Sequence, residues 1–339
     1  SITRLTGISG TYTIGSSKSA DFKSFNEAVT EMTARGLCGA TTFNVEDGIY
    51  NEQITLTQLD GMGPSAPLTF QGASKDSSKV IITLASTTAT GNNNAALQLR
   101  GADNTTFKHI TFRRTGTNLL AQVIHILDGA NNNTFSNCAM IATVVTTNNA
   151  DGVNIWSNQG RDTGNVFTNN FIQHGTYNIL YTGIGGTHET GTVISNNIFD
   201  SAYFAAVQVS NNDAIVINNN VFRNVRNSLT GTANIALIDC DSSNSIIGNK
   251  FNDRTAEMGI LLESCTAKPA APAIIANNMM SRQNGLGIHV KGAYNQAIVF
   301  NNIYFWGDKT GNSAISTENA PSGNLLLANN NIHMDSGQV

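Results

Sequence analysis

A short segment recurs nine times between residue 95 and the end of the chain. Each copy has an apolar run that ends in polar residues, a short turn, a few apolar residues, usually Asn-Asn, and two mostly apolar residues. AVQVSNNDAIVINNNVF and GIHVKGAYNQAIVFNNIY are two of the copies. Every strand-like piece is only three to six residues long and no helical stretch intervenes, so the repeat predicts a solenoid of short strands.

The spacing of the copies is irregular although their content is regular. The residue before the terminal apolar pair of each copy is Ile110, Cys138, Asn170, Asn197, Asn220, Asn249, Asn278, Asn302 or Asn330. Variable spacing with constant content indicates strands of fixed length joined by loops of variable length, which excludes helical arrays of fixed period.

Seven of these nine aligned residues are asparagine. In a parallel β-helix each coil lies about 4.8 Å above the previous one, so equivalent residues stack. Stacked Asn amides at a sharp turn can bond to each other and to the backbone. We therefore interpret this Asn column as structural and not catalytic.

Composition excludes several classes of protein. The 339 residues include 45 Asn but only 12% charged residues, and the net charge is −4 without a Lys/Arg-rich block, which argues against nucleic-acid binding. No apolar run approaches the roughly 18 residues of a membrane span. The four cysteines form no CxxC pair, so no zinc site is expected; Cys240 and Cys265, in adjacent coils, either pair or stack as free thiols.

The N-terminal segment, residues 1–40, differs in kind. In ADFKSFNEAVTEMTARG the apolar residues have helical spacing, Ser24 and Glu27 fit a capping box, and Gly36 fits a helix stop. This predicts a helix that caps the solenoid, which we assign to residues 41–339. No equivalent cap is visible after Asn330, so we expect the natural chain to continue past Val339, or this end to be covered by another subunit. The first residue is Ser, which suits a processed secreted protein or a cloned fragment.

With these coils, the Asn column, the capping helix and the segment Gly48-Ile49-Tyr50-Asn51-Glu52, the chain resembles the right-handed parallel β-helix superfamily typified by pectate lyases and pectin methylesterases. The opening SGTYTIG…DFKSFNEAV…FNVEDGIYNEQITL looks like β-helix domains of secreted or surface proteins of Bacteroidetes. The resemblance implies an all-β, right-handed parallel β-helix of about eleven coils. It does not carry over catalytic residues, because the chain lacks the polygalacturonase and pectin methylesterase motifs and the calcium-binding carboxylate cluster of many pectate lyases.

In this superfamily, ligands generally lie along the strand stack that here includes LQLR, IHIL, VNIW and VQVS. Strand alternation predicts an exposed strip of residues on consecutive coils. The predicted substrate-binding residues are Gln98, His125, Asn154, Trp156, Tyr181 and Gln208. An indole flanked by amides and an imidazole suits a sugar ring; the alternative is that Trp156 packs beneath a loop. A one-residue shift of its coil would bury Tyr181.

The candidate catalytic residues are Asp239, Glu263, Arg223 and Tyr177. Asp239 and Glu263 are expected one coil apart, which would suit a glycosidase pair or, with Asp241, a partial calcium site. The alternative, which we favour, is a surface charge ladder of Asp239, Glu263, Lys291 and Glu318. Otherwise no cofactor or metal is expected.

A lyase needs a base and a cation, and these would come from residues predicted to lie in loops. That set is Arg113, Arg114, His174, Tyr177, Tyr203, Arg223, Arg226, Asp253 and Arg254. Such residues are more often ordinary surface residues.

The leading functional hypothesis is a secreted or cell-surface protein that recognises a polysaccharide, with lyase or hydrolase chemistry left open. The alternative is a non-catalytic structural or adhesive module of a larger surface protein. A basic groove would favour a lyase that acts on acidic polysaccharides, whereas a cleft without a convergent acid, base or cation would favour the structural module.

Overall fold

The chain folds as a parallel β-solenoid. The computed structural model describes residues 6–87, 94–226, 230–252, 255–307, 311–319 and 324–335. The first elements are β1 Ile8–Ile14, α1 Phe25–Arg35, β2 Leu37–Val45, β3 Gly48–Asn51, β4 Ile54–Thr57, β5 Leu68–Gly72, β6 Val80–Ala85, β7 Ala95–Arg100, β8 Thr105–Lys108, β9 Thr111–Thr115, β10 Gln122–Leu127, β11 Thr134–Ser136 and β12 Ala139–Ile141. A 3₁₀ turn, Ala150–Gly152, precedes β13 Ile155–Ser157, β14 Val166–Thr168, β15 Phe171–Gln173, β16 Tyr177–Thr182, β17 Glu189–Thr190, β18 Val193–Ser195, β19 Ile198–Asp200, β20 Ala205–Ser210, β21 Asn212–Asp213, β22 Val216–Asn218 and β23 Val221–Arg223. The remaining strands are β24 Ala233–Ile238, β25 Ser245–Ile247, β26 Lys250–Asn252, β27 Met258–Glu263, β28 Ala273–Ala276, β29 Met279–Arg282, β30 Leu286–Lys291, β31 Gln296–Val299, β32 Asn302–Phe305, β33 Ser313–Glu318, β34 Leu325–Ala328 and β35 Asn331–Met334.

Three long parallel sheets run the length of the molecule. Sheet A has the order β1-β2-β5-β8-β11-β14-β18-β22-β25-β28-β31-β34, and sheet B has the order β3-β6-β9-β12-β15-β19-β23-β26-β29-β32-β35. Sheet C has the order β4-β7-β10-β13-β16-β20-β24-β27-β30-β33, and β17 pairs with β21 in a small separate sheet. Each coil contributes one strand to each long sheet, which gives about eleven coils as expected.

Stacked aromatic rings fill the core. Phe43, Phe70, Phe107, Phe135 and Phe167 stack along sheet A with ring centroids 5.0 to 5.4 Å apart. Phe199, Phe222 and Phe251 form a second stack along sheet B, with spacings of 5.0 and 4.9 Å. Because the side-chain period of a strand is two, the residues flanking each of these rings point outward.

The Asn-Asn dipeptide has two separate structural roles at the turn from sheet A to sheet B. The first residue takes a left-handed conformation, as at Asn196 (φ 57°) and Asn219 (φ 58°), which Asn tolerates better than most residues. The second enters a buried ladder in which its Oδ1 accepts the backbone N–H of the equivalent residue one coil earlier. The ladder residues are Asn170, Asn197, Asn220, Asn249, Asn278, Asn301 and Asn330.

The seven-member Asn column is therefore confirmed, with one correction. Its member in the penultimate coil is Asn301, which is buried, and not Asn302, which is exposed in β32. Here the left-handed position is occupied by Phe300 (φ 56°), so the Asn-Asn pair lies one residue later than in the other coils.

The predicted N-terminal helix is confirmed. The Ser24 hydroxyl accepts the N–H of Glu27, and the Glu27 carboxylate accepts the N–H of Lys23. The buried Phe25 packs edge-on against Tyr50, which places the helix over the first coils. At the other end, residues 324–335 contain only β34 and β35, each paired on one side. No capping element lies among these residues, and continuation of the chain stays a prediction.

Candidate functional site

The outer face of sheet C carries a column of side chains in register on nine consecutive coils. Hydrogen-bond pairing aligns Gln98, His125, Trp156, Leu180, Gln208, Ala236, Leu261, His289 and Ser316. Trp156 therefore points away from the core. Its strand neighbour Ile155 is a core residue, and so is Tyr181 on the next coil, which pairs with the residue after Trp156. Four predicted members, Gln98, His125, Trp156 and Gln208, share this column.

Asn154 and Tyr181 do not belong to the column, and their predicted exposure is wrong. Asn154 is fully buried and donates to the carbonyl oxygens of Met140 (2.9 Å) and Gln173 (2.8 Å), at the corner between sheets B and C. The backbone bulges there, because the N–H groups of both Val123 and Ile124 bond to the Asn154 carbonyl. The pairing aligns His125 with Trp156, so Asn154 precedes β13 at the corner and does not lie in the column.

Tyr181 is buried in the solenoid core. Its hydroxyl donates to the carbonyl of Asp162, and it accepts from the Asn165 amide at 2.7 Å. Burial raises the pKa of this phenol well above its usual value. The outward residue of this coil is Leu180, so Tyr181 cannot touch a ligand on the sheet-C face.

Trp156 stacks on His125 along the solenoid axis. The ring centroids are 5.0 Å apart and the planes differ by 7°. His125 is fully buried and its Nε2 lies 2.6 Å from Oδ1 of Asn158, whereas Trp156 is partly exposed. One face of the indole is covered by the imidazole, and Leu180 of the next coil lies in register on the opposite side of Trp156, so its edge is the part most open to a ligand.

A second outward column on sheet C is more exposed than the column that contains Trp156, and we call this second column the sheet-C strip. It comprises Thr182, Ser210, Ile238, Glu263, Lys291 and Glu318 on six consecutive coils. The Lys291 ammonium lies 2.7 Å from the Glu263 carboxylate, and this contact raises the pKa of Lys291. The strip thus carries hydroxyl, carboxylate and ammonium groups on five coils and the apolar Ile238 on the sixth, over about 24 Å, from five spacings of about 4.8 Å.

Asp239 lies outside the strip, because Ile238 and not Asp239 is paired with Glu263. Asp239 follows β24 in a left-handed conformation (φ 49°) and is exposed. The predicted side-by-side stacking of Asp239 and Glu263 is therefore wrong by one residue. With Glu263 bonded to Lys291, the arrangement fits a surface charge ladder better than an acid/base pair.

Tyr177 and Arg223 are in strands of different sheets and not in neighbouring loops. Tyr177 begins β16 at the edge of the sheet-C face, where its ring contacts Phe204 at 5.6 Å, and burial raises the pKa of its hydroxyl. Arg223 ends β23 on the outer face of sheet B. The structure does not bring them together, and a catalytic role for either one stays a prediction.

His174, Tyr203 and Arg226 lie between strands as predicted, but other residues predicted in loops need correction. Arg113 lies in β9 on sheet B, and Asp253 and Arg254 lie outside the described residues. Arg114 is not a surface residue: its guanidinium is buried and donates to the carbonyls of Asn94, Gln122 and Ala85. Burial lowers the pKa of Arg114 to about 10.

A buried carboxylate network escaped the sequence-based prediction. Asp162 accepts N–H groups of Gly129 and Ala130 and the Ser157 hydroxyl, and Glu189 accepts the N–H of Asp162. Burial raises the pKa of Asp162 to about 6 and that of Glu189 to about 7. Both side chains are fully buried and hydrogen-bonded to backbone N–H groups of the turns after sheet C, so they do not face a ligand.

His188, Asp213 and Asp241 form a cluster whose candidate metal ligand atoms lie within 4.8 Å of one another. His188 Nδ1 is 2.7 Å from Asp213, and the two carboxylates accept the N–H groups of Asp241 and Thr266. The carboxylates thus already serve a hydrogen-bond ladder between coils. Glu263 is paired with Lys291, which fits the favoured charge ladder better than the alternative of a partial calcium site with Asp239 and Asp241.

The cysteines are all free thiols, and Cys240 and Cys265 stack in the core without a disulfide. Contact with Cys240, together with burial, raises the pKa of Cys265 well above the usual value for a thiol. Within the described residues, the single α-helix is too short to cross a membrane.

Comparisons with known proteins agree with this architecture. Among solved structures, the chain is similar to the GH136 lacto-N-biosidase from Eubacterium ramulus, with 11% identity over 96% of this chain and 68% of that chain and a TM-score of 0.61. It is also similar to the alginate lyase from Paenibacillus sp. str. FPU-7 (12% identity, 97% and 99% coverage, TM-score 0.48) and to a pectin methylesterase from Erwinia chrysanthemi (10% identity, 94% and 92% coverage, TM-score 0.42). At these identities the likeness concerns the fold alone.

A search of curated protein sequences finds no match. The family profile described as right handed beta helix region matches residues 95–268, which is more than half of the chain. The three parallel sheets, the Asn ladder and this match lead to one conclusion: the chain belongs to the right-handed β-helix family.

Proposed function

We propose that this protein is an extracellular polysaccharide-binding β-helix whose ligand lies along the sheet-C strip and contacts Trp156 and Gln208 beside it. The observation that carries the proposal is the unbroken row of partly exposed side chains on six coils, Thr182 to Glu318. The row matches the repeating form of a polymer, since five of the six coils offer a hydrogen-bonding side chain at the same height and the sixth offers the apolar Ile238.

The chemistry of the row suits sugar hydroxyls. Thr182, Ser210 and Gln208 donate and accept hydrogen bonds, and Glu263 and Lys291 offer charge-assisted bonds. The exposed part of Trp156 offers apolar contact for a C–H face. The fold shared with a lacto-N-biosidase fits this proposal without carrying it.

Binding without turnover is the form of the proposal that the geometry supports best. Glu263 is neutralised by Lys291 at 2.7 Å, and Asp239 lies one residue out of register with Glu263. If the protein does cleave a glycan, Asp239→Asn and Glu263→Gln should lower turnover; in a pure binding protein they alter only affinity.

The test is a glycan array with parallel turnover assays on acidic and neutral polysaccharides. For an array ligand, Trp156→Ala should weaken binding at least about fivefold, because a partly exposed indole contributes on the order of 1 kcal/mol or more. Phe300→Asn is the matched control: Phe300 is an exposed aromatic at a turn position where other coils have Asn.

Trp156→Ala and Phe300→Asn should both remain folded by circular dichroism. Absence of any array ligand, or equal binding by Trp156→Ala and the wild-type chain, would favour the structural or adhesive module.

A further inference from the structure

A cavity of about 420 Å³ opens on the outer face of sheet B, and we call it the Arg223 pocket. Its lining residues are Arg223, Asn224, Asn252, Ser281 and Trp306. The size lies within the range of small-molecule sites. The pocket is on a different sheet from the sheet-C strip.

Three consecutive coils build the floor of the pocket. Arg223 pairs with Asn252, and Asn252 pairs with Ser281, so the three side chains stand in one outward column. The inward neighbours are Phe222, Phe251 and Met280, and the two rings stack 4.9 Å apart. Trp306 follows β32, and its backbone N–H donates to the Arg282 carbonyl at 3.1 Å. The wall and floor are therefore anchored to rigid backbone.

Among the described residues that line the pocket, Arg223 is the only charged side chain. The nearest carboxylate of the same column, Asp200, pairs with Arg223 in the sheet but bonds instead to Gln173, Ser201 and Asn224. Within the described part of the chain, the Arg223 guanidinium has no hydrogen-bond or ion-pair partner, and no carboxylate lines the cavity.

This combination matches the chemistry of an acidic sugar. A planar guanidinium binds a carboxylate through two parallel hydrogen bonds. Asn224, Asn252 and Ser281 supply donors and acceptors for hydroxyl groups, and the Trp306 indole supplies an apolar surface for the C–H face of a pyranose ring. A phosphate fits less well, because sites for that anion usually combine several N–H groups of a helix N-terminus or more than one cation.

We propose that the Arg223 pocket binds a uronic acid residue, with its carboxylate on Arg223, its hydroxyls on Asn252, Asn224 and Ser281, and its ring against Trp306. A second hollow of about 210 Å³ on sheet B is also lined by Ser281, together with Tyr304. An acidic oligosaccharide can therefore continue from the pocket along the same face.

The test is a titration with D-galacturonate and with D-galactose, which differ by the carboxylate. In a Trp156→Phe background, the indole fluorescence reports Trp306 alone, because the chain has two tryptophans. Galacturonate should bind saturably in the millimolar range and galactose should bind at least about tenfold more weakly, since a charge-assisted hydrogen bond is lost.

Arg223→Gln should weaken galacturonate binding at least about tenfold and remove the preference over galactose. Arg226→Gln is the matched control, because Arg226 is an exposed arginine three residues further on that does not line the cavity. Equal losses in the two variants, equal binding of the two sugars, or no saturation by galacturonate would overturn the proposal. Because Arg223 is remote from the sheet-C strip, failure here leaves polymer binding by the strip intact.

Discussion

Replacement of Asn220 by Ala should destabilise the solenoid at one defined coil. In the native ladder, Asn220 Oδ1 accepts from the backbone N–H of Asn197 (2.8 Å) and from its Nδ2 (3.1 Å). Asn220 Nδ2 donates to the Ile194 carbonyl (2.9 Å) and to Asn249 Oδ1 (3.0 Å). The substitution removes all four bonds at a fully buried position.

The loss of unfolding free energy follows from the groups that are left without a partner. The Asn197 side chain still donates to the Phe167 carbonyl, and the Asn249 side chain still accepts from the Asn220 N–H. The main loss therefore falls on the Asn197 N–H and the Ile194 carbonyl. At roughly 1–3 kcal/mol for each orphaned buried group, partly relieved by relaxation, Asn220→Ala should cost about 2–5 kcal/mol. Urea unfolding followed by circular dichroism measures the change in midpoint.

Asn219→Gly is the matched control. Asn219 is exposed and left-handed, and the equivalent residue of the next coil is Gly248 (φ 70°), so a glycine fits this turn. Hydrogen exchange should also show loss of protection at Asn197 in Asn220→Ala only. The reasoning is refuted if Asn220→Ala and Asn219→Gly unfold at the same urea concentration.

Two further predictions concern buried charge. Arg114→Ala removes the buried hydrogen bonds to the carbonyls of Asn94, Gln122 and Ala85 and should cost about 3–5 kcal/mol, whereas Arg113→Ala should cost less than about 1 kcal/mol; comparable losses in urea unfolding would contradict the buried assignment. Asp162 and Glu189 have folded pKa values of about 6 and about 7 against ordinary values of 3.8 and 4.5, so the folded chain retains protons that the unfolded chain has lost. Their contribution to stability is thus fully present below about pH 4 and is lost as the pH rises through 6 and 7, by up to about 3 kcal/mol for each group. The thermal midpoint should fall from pH 5 to pH 8 in the wild-type chain and fall less in Asp162→Asn; identical pH dependence of the two chains would rule this out.

The fold could be predicted because its determinants are local and repeated. Each Asn-Asn turn, each apolar pair and the Ser24 cap carries its own signal, and nine copies reinforce one another. The one error in the ladder, Asn302 for Asn301, arose because Phe300 replaces Asn at the left-handed position. A residue so unusual there could not be foreseen from the copies around it.

The candidate site was predicted less well, because its residues depend on register between strands of three to six residues. Tyr181 follows the core residue Ile179 by two positions along β16, so it points inward and Leu180 points outward, and Asn154 lies at a corner before β13 begins. A recurring Asn-Ile pair, at residues 154–155, 178–179 and 234–235, marks the corner between sheets B and C and could have shown that these Asn residues are structural.

The pocket on sheet B could not be predicted from spacing alone. Arg223 and Trp306 are more than 80 residues apart in the sequence, and only the coil-by-coil pairing of Arg223, Asn252 and Ser281 brings them together. Likewise, nothing local distinguishes the buried Arg114 from the neighbouring Arg113 except alternation along β9.

Calorimetry on two matched threonine variants tests the role of the sheet-C strip most directly. Thr182 and Thr106 are both partly exposed outward residues of central strands, on sheet C and sheet A respectively, and neither makes a side-chain hydrogen bond within the described residues. Thr182→Arg places a bulky cation in the strip and should weaken binding of the array-selected polysaccharide at least about tenfold, whereas Thr106→Arg should bind like the wild-type chain. If Thr182→Arg binds as tightly as Thr106→Arg, with both folded, the polysaccharide does not lie on the sheet-C strip.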